Sequence, residues 1–150
     1  MKLQIATFAA GCFWGVEKAF SKVKGVVSTR VGYTGGQTIK PTYEEVSSDT
    51  TGHTEAIEIK YDPSKVSYSD LLKVFWKIHD PTDITQVSTQ YRSVIFTHNM
   101  EQEFEARDSK AEIEAKQKKV FHTEIVSAST FYKAEEEHQK YLQKNKSGKF

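Results

Sequence analysis

The sequence predicts an α+β fold: a two-layer sandwich of helices on a mixed sheet, with a ferredoxin-like core. Three observations predict it. The hydrophobic period switches repeatedly between two and about 3.6 along the chain. Hairpin-like and longer crossover connections both join the strand candidates, which implies neighbours of either direction in one sheet. No internal repeat, low-complexity tract or long linker divides the 150 residues, so they are read as a single domain, with a frayed tail from about residue 145.

The elements follow in order. Residues 3–9 alternate weakly and read as a strand. Residues 12–24 place Phe13, Val16, Phe20 and Val23 at helical spacing, with Gly25 as a C-terminal cap. "VVSTRVGY" alternates Val27, Thr29, Val31 and Tyr33 and reads as a strand ending at "GYTGG". Residues 36–52, rich in Gly, Pro, Ser and Thr, read as a long loop. Residues 55–61 form a strand with Glu55, Ile57, Ile59 and Tyr61 on one face. Ser67 caps the next helix, and Asp70 three residues on completes a capping box. Its stripe is Tyr68, Leu71, Leu72, Phe75 and Ile78, and Asp80-Pro81 ends it. Residues 81–90 are loop, and "YRSVIFT" is a strand. Asn99 starts a charged helix to about residue 118, with a thin apolar face of Met100, Phe104, Ala111 and Ala115. "TEIVSA" is a last strand, and residues 133–143 read as a terminal helix.

Composition excludes several classes of function. Charged residues make up 27% and hydrophobic residues 37%, and the net charge is +1. That balance offers no footprint for nucleic acid or an anionic membrane. No apolar run approaches the roughly 20 residues of a membrane span, and the N-terminal stretch is too short for a secretory signal. A single cysteine, Cys12, excludes an internal disulfide and a Cys-rich zinc site. The five histidines, His53, His79, His98, His122 and His138, show no metal-pair spacing. No metal or organic cofactor is expected. The expected setting is a reducing cytoplasm.

Chemistry is expected in "GCFWG", residues 11–15. Cys12 falls where the first strand gives way to the first helix. A thiolate there faces unpaired helix N–H groups, which lowers its pKa. A lone cysteine is also a common inert core residue. Phe13 fits the helix stripe, whereas Trp14 lies off it and is free to line a small apolar pocket. Glu55 is the second anomaly, a carboxyl on a face otherwise bound for the core. It is either solvated at the strand mouth or buried with a raised pKa, and in the second case it is a proton donor. His53 would be the base of a Cys–His hydrolase, although no signature of that class is present. "GYTGG" is too short for a phosphate loop and lacks its lysine.

"GCFWGVE" resembles the signature of the A-type peptide methionine sulfoxide reductases. "GVVSTRVGYTGG", "PTYEEVSS", "TGHTEAIEIKYDP", "LLKVFWKIHDPT", "TQYRS" and "FYKAEEEHQKYLQKN" resemble further blocks of that family, in its order. The similarity runs over about residues 5–145. It implies reduction of methionine-S-sulfoxide, free or in oxidised proteins, to methionine through a sulfenic acid on Cys12. It implies Cys12 as nucleophile, Glu55 as proton donor, and Tyr43 and Tyr91 as hydroxyl donors to the sulfoxide oxygen. Phe13 and Trp14 are then the walls around the substrate methyl.

Two departures from the family pattern stand out. The family usually carries an acidic residue five positions before the second tyrosine, where this chain has Gln86; that carboxylate is missing or supplied by another residue, with Asp83 as a candidate. Many members also carry a C-terminal tail with resolving cysteines, and "KNKSGKF" has none. The resemblance therefore implies a one-cysteine enzyme, a monomer, that relies on an external thiol: thioredoxin, glutaredoxin with glutathione, or a small dithiol. Two other readings use the same residues. A thiol peroxidase or peroxide sensor would use Cys12 alone. A non-catalytic module would bind oxidised methionine without releasing methionine.

Overall fold

The computed structural model describes residues 2–82 and 88–145. Gln86 and Asp83 lie outside the described residues, as does most of the tail expected to fray.

Six strands form one sheet. They are β1 (Gln4–Ala10), β2 (Val26–Thr34), β3 (Thr54–Tyr61), β4 (Ser93–Thr97), β5 (Glu124–Ser127) and β6 (Tyr132–Lys133), in the spatial order β5-β4-β1-β3-β2-β6. The β4–β5 pair is parallel and every other pair is antiparallel. The inner order β4-β1-β3-β2 carries a β-α-β-β-α-β connectivity, the ferredoxin-like core expected from the sequence.

The helices are α1 (Phe13–Ser21), α2 (Tyr43–Ser47), α3 (Tyr68–Lys77), α4 (Met100–Gln117) and α5 (Tyr141–Lys144). The main core sits between the sheet and the helices. Ala6, Phe8 and Ala10 of β1 and Ile57, Ile59 and Tyr61 of β3 meet Val16 and Phe20 of α1 and Leu71, Leu72 and Phe75 of α3. Phe8 is its centre, packed on Phe20, Tyr68 and Phe75 with ring centroids 5.2–6.0 Å apart. At about 25 cal/mol per Å² of apolar surface, each buried Phe or Leu there contributes roughly 2 kcal/mol. In α3 the Ser67–Asp70 capping box is present and Tyr68, Leu71, Leu72 and Phe75 of its stripe are buried, while Ile78 is the half-buried C-cap.

Four expectations are corrected. The stretch 36–52 is not all loop, because α2 lies in it, opened by a capping box of Thr42 and Glu45. The first helix ends at Ser21 with Lys22 as its cap, and Gly25 serves the following turn at φ +99°. In α4 the buried positions are Gln102 and Ala106, whereas Met100 and Phe104 are exposed. The Gln102 amide decides that rotation: it accepts from the His98 N–H and donates to the Ile5 carbonyl. Residues 133–143 do not form one helix. They divide into β6, a 3-10 turn at Glu136–His138 and α5, because tertiary bonds override helix propensity there.

Two side chains enforce that break. Gln139 acts as a strand residue would, since its amide accepts from Val31 N–H and donates to Val31 O. Buried Glu17 of α1 accepts from the Lys140 N–H at 2.6 Å and from Thr29 Oγ1 at 2.7 Å, which holds Lys140 at φ +52°. Glu17→Ala strands both donors. It should cost about 2–3 kcal/mol, read as a shift of the denaturant midpoint. A loss below about 0.5 kcal/mol would show that the C-terminal segment docks without it.

Candidate active site

The start of the first helix is where the site is built. Gly11 takes φ +96° to turn the chain out of β1, a conformation that favours glycine. Cys12 is the N-cap. The Phe13 N–H donates to Glu55 Oε1 at 3.1 Å. The Trp14 and Gly15 N–H groups face the Cys12 sulfur and favour its ionised form. The Val16 N–H donates to the Cys12 carbonyl. Cys12 makes no side-chain capping hydrogen bond, so its sulfur sits beside these N–H groups without closing the helix end as a cap oxygen would.

Cys12 is exposed, and the space above Gly11 and Gly15 is open. The site therefore presents its thiol to a large or small substrate. The cavity of about 430 Å³ between α3 and α4 shares no residue with it.

The expected lowering of the thiol pKa does not result. Desolvation raises it, the Trp14 N–H lowers it, the Glu55 charge raises it and the Gly15 N–H lowers it, with the net shift upward. The helix start acts in the expected direction but is outweighed by its setting.

Glu55 is buried, at 1% exposure, so it is not solvated at a strand mouth. It is the second residue of β3 and lies on the core face, as its alternation with Ile57 and Ile59 requires. Desolvation pushes its pKa up to about 7, against the lowering effects of the Phe13 N–H and the Gln90 amide. Near neutrality this carboxyl is poised to give or take a proton beside the sulfur.

Tyr43 is half-buried and Tyr91 is exposed at 37%. Desolvation and the Glu55 charge raise the Tyr91 pKa, and a hydrogen bond with Tyr43 and the charges of Tyr43 and Cys12 raise it further. The Tyr91 phenol thus stays protonated at neutral pH in the electrostatic field of Cys12 and Glu55.

Phe13 is buried against Tyr33. Trp14 is half-buried, stacked on Tyr141 at 3.8 Å and 9°, and its Nε1–H donates to His138 Nδ1 at 3.1 Å. Tyr43 lies on the same histidine ring, centroids 4.7 Å apart. The six candidates Cys12, Phe13, Trp14, Tyr43, Glu55 and Tyr91 therefore surround one helix start.

Sequence reasoning missed three polar residues that hold them. Gln90 donates to Glu55 Oε2 at 2.7 Å. His138 receives Trp14. Glu135 accepts from Tyr33 Oη at 2.8 Å and from the Tyr43 N–H at 3.0 Å. No periodicity marks such residues; the one usable signal is that Gln90 precedes Tyr91 in "TQYRS".

His53 is not a base for Cys12. Its Nδ1 accepts from the Gly36 N–H and its Nε2 bonds the Thr38 carbonyl, so both nitrogens tie down the 36–52 segment. The Cys–His hydrolase reading falls with it. Among the described residues, no group of three His, Cys, Asp or Glu could hold a metal ion, and no helix is long and apolar enough to cross a membrane.

A lone exposed thiol coupled to a buried carboxyl that titrates near 7 is the equipment of a thiol-dependent oxidoreductase. The comparisons with known proteins narrow that class. The family model described as peptide methionine sulfoxide reductase matches residues 4–150, and the chain belongs to that family. It is 56% identical over 148 residues to the peptide methionine sulfoxide reductase MsrA of Methanosarcina acetivorans, covering 95% of this chain and 79% of that protein. The crystal structure of reduced Mxr1 from Saccharomyces cerevisiae superposes with a TM-score of 0.91 at 34% identity, over 99% of this chain and 89% of that one. Mxr1 in complex with Trx2 matches with a TM-score of 0.68 at 28% identity, over 93% and 85%.

Proposed function

We propose that Cys12 and Glu55 carry out the reduction as a pair sharing one proton. The chain is a peptide-methionine (S)-S-oxide reductase of the protein-repair type. The observation that carries the assignment of roles is the buried Glu55 carboxyl, bonded to the amide next to Cys12 and titrating near 7.

The chemistry follows from the proton count. Between the Glu55 pKa and the higher thiol pKa, the pair holds one proton. Glu55 carboxylate takes the proton of Cys12, and the thiolate attacks the sulfoxide sulfur. Negative charge builds on the sulfoxide oxygen. The Tyr43 and Tyr91 hydroxyls donate to it, in the manner of an oxyanion hole. Glu55 returns its proton to that oxygen, and the oxygen moves from the substrate sulfur to the Cys12 sulfur as the sulfur–sulfur bond made in the attack breaks. Thiol plus sulfoxide thus become sulfenic acid plus methionine; the substrate sulfur gains two electrons and Cys12 loses two. Phe13 and Trp14 take the substrate methyl, and the R epimer would turn its oxygen into that aromatic wall.

Cys12 is the sole cysteine of the sequence, so the sulfenic acid is returned to thiol by an external thiol. One thiol condenses with it, releasing water, and a second reduces the resulting disulfide. The Mxr1–Trx2 complex favours a thioredoxin as that donor, ahead of glutaredoxin with glutathione. A free, exposed thiol suits a reducing cytoplasm. We place the enzyme there as a monomer with one catalytic domain.

A single-turnover assay without reductant tests the reading. Incubation with the S epimer should yield one methionine per chain and one sulfenic acid at Cys12, and the R epimer should yield neither. Sulfenic acid from peroxide alone, with no methionine from either epimer, would place the protein among the peroxide-reactive thiols. Binding of the sulfoxide without release of methionine would leave only a recognition module.

A further inference from the structure

We propose that Gln90 is the positioning residue of this site: its side-chain amide holds the Glu55 carboxyl so that its reactive lone pair faces the substrate. The proposal rests on the reading of Glu55 as the proton carrier.

Gln90 is buried, at 5% exposure, and joins three segments. Its carbonyl accepts from the Glu55 N–H at 2.8 Å and from Thr54 Oγ1 at 2.9 Å, at the start of β3. Its N–H donates to Asp49 Oδ1 at 3.0 Å, and its Nε2 donates to Ser47 Oγ at 3.3 Å, at the end of α2. Tyr43 is carried by α2, and Tyr91 is the next residue in the chain. One residue thus binds together the supports of the carboxyl and both phenols.

Any residue at position 90 can make the backbone bonds. The bond from Nε2 to Glu55 Oε2, 2.7 Å long, needs the amide. A carboxylate offers about four lone-pair sites. The Phe13 N–H occupies one on Oε1 and Gln90 one on Oε2. The exchanged proton must use a remaining site, and the two fixed donors set the plane in which those sites lie. Both donors also favour the ionised form, opposing desolvation. The other titratable groups that feel this carboxyl are Cys12 from α1, Tyr33 from β2, and Tyr91. Tyr43 of α2 and Glu135 adjoin them, and Asp49 faces Gln90 itself.

Gln90→Met keeps the length of the side chain and every backbone bond while removing the amide. The measurement is the pH dependence of the single-turnover rate. In the natural protein the rate rises through about 7 as Glu55 loses its proton to become the acceptor. In Gln90→Met the rate at neutral pH should fall about 10-fold or more, and this limb should move up by about one pH unit, because a donor to the ionised form is gone. Gln90→Leu should do the same and serves if the methionine variant folds poorly. In a Glu55→Gln background, Gln90→Met should cost less than about 2-fold, since the carboxyl it positions is absent. A uniform loss at all pH values with the limb unmoved, or an equal loss in the Glu55→Gln background, would overturn the role of Gln90. A normal rate in Glu55→Gln alone would instead remove Glu55 from the reaction, and this role of Gln90 with it.

Discussion

Cys12→Ser should abolish turnover of methionine-S-sulfoxide and leave the fold intact. Serine places a hydroxyl where the thiol stood, and a hydroxyl at neutral pH neither ionises to a useful extent nor attacks a sulfoxide sulfur. The loss should reach at least about 10⁴-fold, the scale seen when a nucleophile is removed from a concerted site. Stability should not suffer. Cys12 is exposed and is an N-cap, and serine is among the preferred N-cap residues, able to accept from the Trp14 and Gly15 N–H groups. Unfolding of the variant should therefore occur at or slightly above the natural midpoint. Methionine release from the S epimer is the readout, followed over many equivalents of a dithiol. Retained release would show that the oxygen is removed by a group other than Cys12.

The contrast between legible and illegible parts of this chain has a physical basis. Strands β1 to β4 and helices α1 and α3 announce themselves, because each buries apolar residues against the sheet or its neighbours, whereas α4 is announced by its Asn99 cap and its run of helix formers and not by a buried apolar face. α2 has only five residues, too few for a period, yet its capping box stands in the sequence as Thr42-x-x-Glu45. The C-terminal region misleads for a different reason. "AEEEHQKYLQKN" has strong helix formers throughout, but Gln139 and Lys140 are claimed by Val31 and Glu17, more than 100 residues away. Those bonds hold Lys140 in the left-handed region and divide the helix. A local propensity of tenths of a kcal/mol per residue does not outweigh several buried hydrogen bonds.

The site divides along the same line. Cys12 and Glu55 are conspicuous because each departs from a local pattern: a thiol at a strand-to-helix junction, and a carboxyl on an apolar strand face. Their electrical state is a property of three-dimensional surroundings. The helix start was expected to depress the thiol pKa, and it does act that way, but desolvation and the neighbouring carboxyl reverse the net direction. Trp14 is off the helix stripe and so stands out, yet what fixes its ring is His138, 124 residues on. Gln90, His138 and Glu135 are ordinary polar residues in the sequence and become specific only through partners that the topology brings to them.

Glu55→Gln should slow the reduction step about 10³-fold while preserving the shape of the site. Glutamine can still accept from the Phe13 N–H. Its amide meets the Gln90 amide, and a flip of the Gln90 side chain restores an acceptor there. What is lost is a group that can exchange a proton with both sulfur and oxygen. The rise in rate through about 7 should vanish with it. The same variant carries a stability signature. Burial raises the folded-state pKa of Glu55 to about 7, from an unfolded value near 4.5. The folded protein therefore binds the proton more tightly, so the contribution of this group is full below about 4.5 and is lost as pH rises through 7. The natural protein should lose about 3 kcal/mol across that window from Glu55 alone. Glu55→Gln has nothing to ionise and should escape that loss, gaining on the natural protein between pH 5 and pH 8. Denaturant midpoints of both proteins across that range decide the matter. A difference that stays constant with pH would mean that Glu55 does not hold a proton near neutrality, and a near-normal single-turnover rate would take it out of the proton transfer altogether.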